Sequence, residues 1–437
     1  MKLYISGIAG TGMGPLALMA RAAGHEVCGS DLAKGAIYEE LVEAGCEVYI
    51  GEQDGGFLRE KLAEGVDWFA YTSALPEGHA ELALAKEAGV KCTKRDDLTA
   101  YLVSELGLKM VAVAGTHGKT TTTAMIVWAS LKLGLPVSYI VGTTLGFAPS
   151  GAYHSGDKYF VYEADEYDRN FLKFHPWVAV LPAVSYDHPD IYPSEEDYLA
   201  AFEQFKGQSE KVITEAAPGV EVQLAGAARR HDAGLAAAAV IEMLKEEGKW
   251  SDRGGADGSA GGNTRGDAED NAEGGAYENS DITEVMNDFP GVGRRFERVA
   301  DGAYSDYAHH PEEIEATIEV AREEAERLGK KGVVVIYEPH QNARQYKVRE
   351  GYREAFTGVD KIFWLPTYLT REDPNLPVLT PEELAGGLVN EEIVELAEMS
   401  RGLKIRIKEY LEQGYLVLLM TAGPADAWFR LLLEEEN

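Results

Sequence analysis

Short apolar runs alternate with longer amphipathic stretches along most of the chain. Apolar runs bounded by glycine and polar residues predict buried strands, and stretches with an apolar residue every three or four positions predict helices. Alternating strands and helices are typical of parallel sheets covered by helices. The predicted strands are 2–6, 26–29, 67–73, 109–114, 137–141, 159–163, 177–184, a strand just before 306, 332–337, 361–365 and 415–421, and the main predicted helices are 15–24, 120–133, 195–205, 225–247, 311–328 and 347–356.

The alternation restarts near residues 107 and 293, which predicts three α/β domains over 1–106, 107–292 and 293–437. A chain of 437 residues also exceeds what one hydrophobic core usually supports. Between about 251 and 280 the chain is rich in Gly, Asp, Asn, Ser and Glu and almost free of apolar residues. That composition predicts a disordered surface insert in the central domain.

The most specific motif follows the predicted strand 109–114. It reads Gly115-Thr-His-Gly-Lys-Thr120 and opens a helix with four consecutive threonines. Backbone N–H groups of such a turn converge on an anion, the lysine adds a mobile positive charge, and the threonine hydroxyl can ligate Mg²⁺. Val113 stands where the strict P-loop pattern has a glycine, so the turn is the shorter G-x-x-G-K-T form. The motif predicts a nucleotide phosphate site.

A second glycine-rich turn, residues 7–14, follows the first predicted strand and precedes a helix. Asp31 ends the next strand, about 20 positions after the turn, as in β-α-β units that bind a nucleotide or a nucleotide-sugar diphosphate. A glycine turn without a chemical role is the alternative.

Polar clusters follow several other predicted strands. Four carboxylates lie between Glu163 and Asp168, where they repel one another unless a cation holds them, and Mg²⁺ suits such oxygen ligands. A solvated acidic turn is the alternative, but Asp187 and His188 deliver a second cluster to the same sheet edge. Further clusters lie at 293–296, 306–311 and 339–344, where the paired histidines alone indicate only surface or capping roles.

Composition excludes several classes of protein. A formal net charge of -32 argues against a general binder of nucleic acids or membrane surfaces. No apolar run reaches the ~20 residues that a membrane span needs. The 3 cysteines have no metal-ligand spacing, which favours reduced thiols in a cytoplasmic protein.

Taken together, the motifs resemble those of the Mur ligase family in order and approximate spacing across nearly the whole chain. They are Gly-Ile-Ala-Gly-Thr-Gly-Met at 7–13, Gly-Ser-Asp at 29–31, Gly-Thr-His-Gly-Lys-Thr at 115–120, Glu-Ala-Asp-Glu at 163–166, Asp-His at 187–188, Gly-Arg-Arg-Phe at 293–296 and Asp-Tyr-Ala-His-His-Pro at 306–311.

The resemblance implies a Rossmann-like N-terminal domain, a P-loop central ATPase domain and an α/β C-terminal domain. The residues that it implies for the UDP-linked substrate are Gly10, Thr11, Gly12, Met13, Asp31, Ser73 and Arg95. For ATP they are Gly115, Thr116, His117, Gly118, Lys119, Thr120, Thr121, Arg295, Asp306 and Tyr307. The implied Mg²⁺ ligands are Thr120, Glu163 and His188, and the implied catalytic residues are Lys119, His188, His309 and Arg344, of which the last two orient the amino acid.

The resemblance is closest to members that join L-alanine to UDP-N-acetylmuramate during peptidoglycan synthesis. We expect the protein to be a monomer or a homodimer. In the implied reaction ATP converts the muramyl carboxylate into an acyl phosphate, which the amine of L-alanine attacks. A recycling ligase for murein peptides and a degenerate, non-catalytic nucleotide-binding protein stay open. A nicotinamide-dependent dehydrogenase accounts for the first glycine turn but not for Lys119 or the acidic cluster. The chain departs from the family pattern by a shortened segment before His231 and at Ala183, Asp232, Leu235 and Gln341.

Overall fold

The computed structural model describes residues 1–72, 75, 76, 78–188, 191–251, 276–370, 372, 373 and 375–434 of the chain. The chain folds into two compact units. Unit 1 comprises Met1–Val222 and His231–Pro290, and unit 2 comprises Gln223–Arg230 and Gly291–Asn437.

The first sheet of unit 1 has five parallel strands in the order β3-β2-β1-β4-β5. The central strand β1 is almost wholly buried, as its apolar sequence predicts. Helices connect the strands, so the chain has the predicted β-α-β pattern. The elements are β1 (Lys2–Ser6), α1 (Gly14–Ala22), β2 (Glu26–Asp31), α2 (Tyr38–Glu43), β3 (Glu47–Ile50), α3 (Gly56–Glu64), β4 (Trp68–Tyr71), α4 (Ala80–Glu87), β5 (Lys91–Lys94) and α5 (Arg95–Glu105).

The second sheet of unit 1 has six strands in the order β11-β10-β6-β9-β7-β8. All are parallel to their neighbours except β8, which runs antiparallel to β7. The elements are β6 (Lys109–Val113), α6 (Lys119–Lys132), β7 (Val137–Ile140), β8 (Gly151–Ala152), β9 (Tyr159–Glu163), a 3-10 segment (Tyr167–Lys173), β10 (Val178–Val180), α7 (Glu195–Gln208), β11 (Lys211–Ile213), α8 (Ala227–Glu246) and α9 (Asn279–Asn287). Because β6 lies between β9 and β10, the phosphate turn and both polar clusters meet at one sheet edge, as predicted.

Polar contacts join the two sheets within unit 1. The backbone N–H and hydroxyl of Ser150 donate to the Glu40 carboxylate at 2.9 and 3.1 Å. Gly151 is required at this junction, because a Cβ atom there would lie 2.1 Å from the carbonyl oxygen of Pro15. Lys94, at the end of β5, pairs with Asp168 beside the acidic cluster.

The sheet of unit 2 has six strands in the order β12-β13-β17-β14-β15-β16, and only β12 is antiparallel to its neighbour. Its central strands β14 and β17 are buried along their whole length. The elements are β12 (Glu297–Ala300), β13 (Ala303–Asp306), α10 (Pro311–Arg327), β14 (Val333–Glu338), α11 (Asn342–Val348), a 3-10 turn (Arg349–Gly351), α12 (Tyr352–Ala355), β15 (Lys361–Trp364), α13 (Pro381–Ala385), a 3-10 turn (Glu391–Ile393), β16 (Val394–Leu396), α14 (Arg401–Glu412), β17 (Leu416–Thr421) and α15 (Ala425–Glu434).

Two predicted secondary-structure elements are wrong in part. The strand predicted over 177–184 ends at Val180, because Ala183 and Ser185 bond to Thr116 of the phosphate turn instead of to a neighbouring strand. The helix predicted over 347–356 is two shorter helices separated by a 3-10 turn, and the first begins at Asn342.

The predicted disordered insert, 251–280, is too long. Tyr277 forms backbone bonds with Lys249 and Ser251 and donates its hydroxyl to the carbonyl of Leu133 at 3.2 Å. Helix α9 begins at Asn279 behind a capping box formed by Glu278 and Asp281. The part of the predicted insert at 252–275 lies outside the described residues.

Within the described part of the chain, no helix combines the length and the apolar character that crossing a membrane requires.

Candidate active site

The turn after β6 has the backbone geometry of a phosphate cradle. Gly115 and Gly118 have φ values of +154° and +81°, in the region that favours glycine. A Cβ atom at Gly118 would lie 2.6 Å from Asp232 Oδ1, and one at Gly115 would lie 2.5 Å from the carbonyl oxygen of Ala183. Gly118 is the N-cap of α6, so the N–H groups of that helix's first turn face the end of the sheet. Neither glycine position accepts a side chain.

Thr116 fastens the turn to the segment that follows β10. Its N–H donates to the carbonyl of Ala183 at 2.7 Å, and its hydroxyl donates to the carbonyl of Ser185 at 2.6 Å. The same hydroxyl accepts the Ser185 N–H at 2.9 Å and lies 2.7 Å from the Tyr198 hydroxyl. His117 forms an isolated backbone bridge with Ala183. The departure from the family pattern at Ala183 therefore lies directly against the phosphate turn.

Lys119 forms a buried ion pair with Glu166. Its ammonium donates to the two Glu166 carboxylate oxygens at 2.8 and 3.1 Å and to the carbonyl oxygen of Gly115 at 2.5 Å. Burial alone would lower the pKa of Lys119, but the carboxylates of Glu166, Asp165 and Glu163 outweigh it and leave that pKa raised. Lys119 is therefore held as a fixed positive charge at the phosphate turn.

His188 lies on the other side of Glu166. Its Nε2 is 3.4 Å from Glu166 Oε1 and 3.7 Å from Asp187 Oδ2. The residue has a φ of +56°, a costly conformation for a residue other than glycine and one that is concentrated at functional sites. Burial would lower the pKa of His188, but the contacts with Glu166 and Asp187 raise it. A single buried carboxylate thus lies between Lys119 and His188.

Thr120 and Glu163 are also in direct contact. The Thr120 hydroxyl lies 3.0 Å from each Glu163 carboxylate oxygen, because β9 pairs with β6 in the register Val113 with Glu163. Thr121 follows on the first turn of α6 and is half-buried. A hydroxyl and a carboxylate are the hard oxygen ligands that Mg²⁺ takes in nucleotide sites, so this pair fits the predicted metal.

Glu166 was not predicted to have a role of its own beyond membership of the acidic cluster 163–168. Its side chain is 1% exposed, and the pKa of its carboxyl group is lowered, because Lys119 and His188 outweigh the effect of burial. A buried carboxylate close to Asp165, whose pKa burial and Glu166 raise, needs a cation beside it. In the sequence, the need of these closely spaced carboxylates for a cation was the signal that one of them has a specific partner.

The N-terminal glycine turn is closed by Asp31 and Ser30. The Asp31 carboxylate accepts the N–H groups of Ala9 at 3.0 Å and Leu32 at 2.8 Å, and the Ser30 carbonyl accepts those of Gly7 and Ile8. The side chain of Asp31 therefore helps to fix the turn.

The other residues predicted for the UDP-linked substrate differ in position. Gly10 and Thr11 are exposed on the turn, whereas Met13 is 3% exposed and its side chain packs in the core. A Cβ atom at Gly12 would lie 3.0 Å from Arg95 Nη1, so the Arg95 guanidinium lies against the turn. Ser73 lies outside the described residues.

Unit 2 brings its own predicted residues to the ends of β13 and β14. The guanidinium of Arg295 lies 5.3 Å from the ring centre of Tyr307. Asp306 is 6% exposed, and its carboxylate accepts the N–H groups of Phe296 at 2.6 Å and Ala308 at 2.7 Å. Burial raises the pKa of Asp306. The structure thus uses Asp306 to brace the loop that carries Tyr307, and the predicted contact with the ATP ribose stays a prediction.

His309 and Arg344 both lie near His340. The Nδ1 of His309 is 2.9 Å from the carbonyl oxygen of Tyr307, and its ring packs edge-on against the His340 ring at 5.6 Å. Arg344 Nη1 is 3.2 Å from His340 Nδ1. Burial lowers the pKa of His309 despite the nearby carboxylate of Glu313. His309 and Arg344, predicted to orient the amino acid, thus share one neighbour.

Comparison with known proteins places all three parts of the chain in one family. Residues 2–105 match the family model for the Mur ligase family, catalytic domain, 113–218 match the Mur ligase middle domain, and 294–423 match the Mur ligase, glutamate ligase domain.

Curated relatives match almost end to end. The chain is 30% identical over 451 aligned residues to the UDP-N-acetylmuramate–L-alanine ligase of Rubrobacter xylanophilus, covering 98% of this chain and 95% of the relative. It is 32% identical over 411 residues to the ligase of that name from Clavibacter michiganensis, covering 89% and 83%.

Solved structures support the fold. The UDP-N-acetylmuramate-alanine ligase of Thermotoga maritima superposes with a TM-score of 0.75 at 20% identity, covering 100% of this chain and 99% of that one. A murein peptide ligase from Psychrobacter arcticus gives a TM-score of 0.60 at 21% identity, covering 99% and 98%. The three family matches and the near-complete alignments with these relatives lead to one conclusion: the chain belongs to the Mur ligase family.

Proposed function

We propose that this protein is an ATP-dependent ligase that joins L-alanine to UDP-N-acetylmuramate in peptidoglycan synthesis. The observation that carries the proposal is the contact set at the carboxyl end of the central sheet, where Lys119, Glu166 and His188 follow one another beside the phosphate turn. The names of the curated relatives give the two substrates. We retain 1–106, 107–292 and 293–437 as the proposed limits of the substrate, ATP and C-terminal domains.

The residues at the phosphate turn have complementary tasks in this proposal. The N–H groups at the start of α6 hold the phosphates of ATP, and the ammonium of Lys119 stabilises the negative charge that grows as the γ-phosphoryl group moves to the muramyl carboxylate. Glu166 keeps Lys119 charged and in place. Thr120 and Glu163, with His188, would hold Mg²⁺, which supplies further positive charge at the phosphates.

In this proposal, unit 2 binds the incoming amino acid. An acyl phosphate reacts with a neutral amine, so the incoming amino acid needs its carboxylate held while its amine stays deprotonated. Arg344 offers the guanidinium for the carboxylate, because this fork matches carboxylate geometry. His309, whose pKa burial lowers, adds a neutral imidazole beside it.

The test is release of phosphate from ATP with UDP-N-acetylmuramate and a panel of acceptors: L-alanine, glycine, L-serine and the murein tripeptide. We expect release to depend on both substrates and to be fastest with L-alanine. Preference for the tripeptide would identify a recycling ligase instead. No release with any acceptor, from protein that binds ATP, would identify a non-catalytic nucleotide-binding protein.

A further inference from the structure

A buried hydrogen-bonded chain in unit 2 joins the loop that carries His309 to the loop that carries His340, just before Arg344 on α11. The Tyr337 hydroxyl lies 3.3 Å from the carbonyl oxygen of His309 and 2.7 Å from the Tyr352 hydroxyl. The Tyr352 hydroxyl donates to Gln345 Oε1 at 2.8 Å, and Gln345 Nε2 donates to the carbonyl oxygen of His340 at 3.0 Å. Tyr337 and Gln345 are fully buried and Tyr352 is 1% exposed. We call these three side chains the tyrosine relay.

The chemistry of the donors fixes the direction of this chain. A carbonyl oxygen only accepts, so Gln345 must present its amide nitrogen to His340 and its oxygen to Tyr352. The single Tyr352 proton is then committed to Gln345, which makes Tyr337 the donor between the two hydroxyls. The Tyr337 proton is consequently shared between Tyr352 and the more distant carbonyl of His309. Burial raises the pKa of Tyr352 to about 12, so the hydroxyl keeps its proton at neutral pH.

The relay spans two loops that the sheet alone leaves independent. One loop follows β13 and the other follows β14, and these strands are not neighbours because β17 lies between them. The second loop contains Gln341 with a φ of +62°, an unfavourable conformation that its surroundings must hold. A continuous buried network of hydrogen bonds restricts the movement of one loop relative to the other.

We propose that Tyr337, Tyr352 and Gln345 are positioning residues that hold the His309 loop against the His340 loop and the start of α11, which carries Arg344, and so orient the acceptor amino acid. The inference rests on the proposed function. According to this inference, the tyrosine relay affects only the second half-reaction, in which the amine attacks. It does not affect activation of the muramyl carboxylate by ATP.

Tyr352→Phe tests this inference, because it keeps the ring and removes one hydroxyl. Two reactions are measured with ATP and UDP-N-acetylmuramate: amide formation with L-alanine, and hydroxamate formation with hydroxylamine, a small nucleophile that intercepts the acyl phosphate and carries no carboxylate to orient. We expect kcat/KM for L-alanine to fall about 10-fold, as for loss of one well-placed buried hydrogen bond, while the hydroxamate rate stays within about two-fold of wild type.

Tyr304→Phe is the matched control. Tyr304 is 3% exposed and belongs to the same unit, but its hydroxyl donates to Glu324 at 2.9 Å, on α10 and away from both loops. We expect this variant to leave both reactions unchanged. Gln345→Met breaks the relay at a second point, and combining it with Tyr352→Phe should cost less than the product of the two single losses, since both interrupt one chain.

The outcomes separate the inference from the function it rests on. Equal loss of amide and hydroxamate in Tyr352→Phe, or an unchanged kcat/KM for L-alanine, overturns the positioning role. Multiplicative losses in the double variant overturn the single relay. Wild-type protein that forms neither product overturns the proposed function itself, and the relay inference falls with it.

Discussion

Replacing Lys119 with Met should destabilise unit 1 as well as abolish activity. The substitution removes the closest cation from Glu166, whose carboxylate is 1% exposed, and leaves it next to Asp165. The sequence motif alone indicates a lysine that serves only the nucleotide. The structure gives the same ammonium a second task, which is to neutralise a buried charge.

The magnitude follows from the contacts that remain. Removing one partner of a buried ion pair costs about 3–5 kcal/mol. His188 stays 3.4 Å from Glu166, and its pKa is raised, so it compensates in part and the lower figure of about 3 kcal/mol applies. In a domain of this size each kcal/mol lowers the Tm by roughly 2–4 °C, which gives a fall of roughly 6–12 °C.

The double variant Lys119→Met, Glu166→Gln separates stability from catalysis. It removes both charges, so the Tm should return to within a few degrees of wild type, whereas turnover stays reduced by about 10²-fold or more. The assay is thermal unfolding followed by circular dichroism, with phosphate release measured on the same samples. A Lys119→Met protein that melts like wild type, or a double variant that melts as low as the single one, would refute this reasoning.

Three further variants test other contacts of the site. Gly118→Ala should lose ATP binding, since its Cβ would lie 2.6 Å from Asp232 at a φ of +81°, and retention of wild-type affinity by calorimetry argues against the cradle. His188→Ala should need more Mg²⁺ for turnover while still binding UDP-N-acetylmuramate, and superimposable Mg²⁺ titrations would remove His188 from the metal site. Burial lowers the pKa of His309, so below about pH 6.5 the unfolded chain binds a proton that the folded protein resists, and stability falls as the pH drops toward the folded pKa. As the pH is lowered from about 7.5 to about 5.5, the free energy of unfolding of His309→Gln should therefore rise relative to that of wild type. Urea denaturation measures both values, and a difference between the two proteins that stays constant over this pH range contradicts the prediction.

The central strands of each sheet could be read from the sequence because burial on both faces gives continuous apolar runs. Strand β9 is an example, and its predicted limits agree with the structure. The edge strands could not be found in this way. β3 and β5 consist only of exposed and half-buried residues and contain charged side chains, so their pairing depends on the neighbouring strand more than on their own composition.

The candidate site was predictable where one local motif carries the chemistry. Gly115 to Thr120 forms a turn before a helix in the sequence and in the structure. The tyrosine relay lacks such a motif, because Tyr337, Gln345 and Tyr352 look like ordinary core or helix residues. Their polar atoms meet only after β14 and α11 have packed, which sequence periodicity does not describe.

The ion pairs at the phosphate turn connect sheet register to chemistry. Lys119 and Thr120 are adjacent on the first turn of α6, and they bind two different carboxylates, Glu166 and Glu163. This division depends on the pairing of Val113 with Glu163, which ends β9 level with β6 and lets the next three residues turn toward the helix. A slip of β9 by one residue would turn each of its side chains to the opposite face. The carboxylate would then leave Thr120, so the site requires the observed register of β9 against β6.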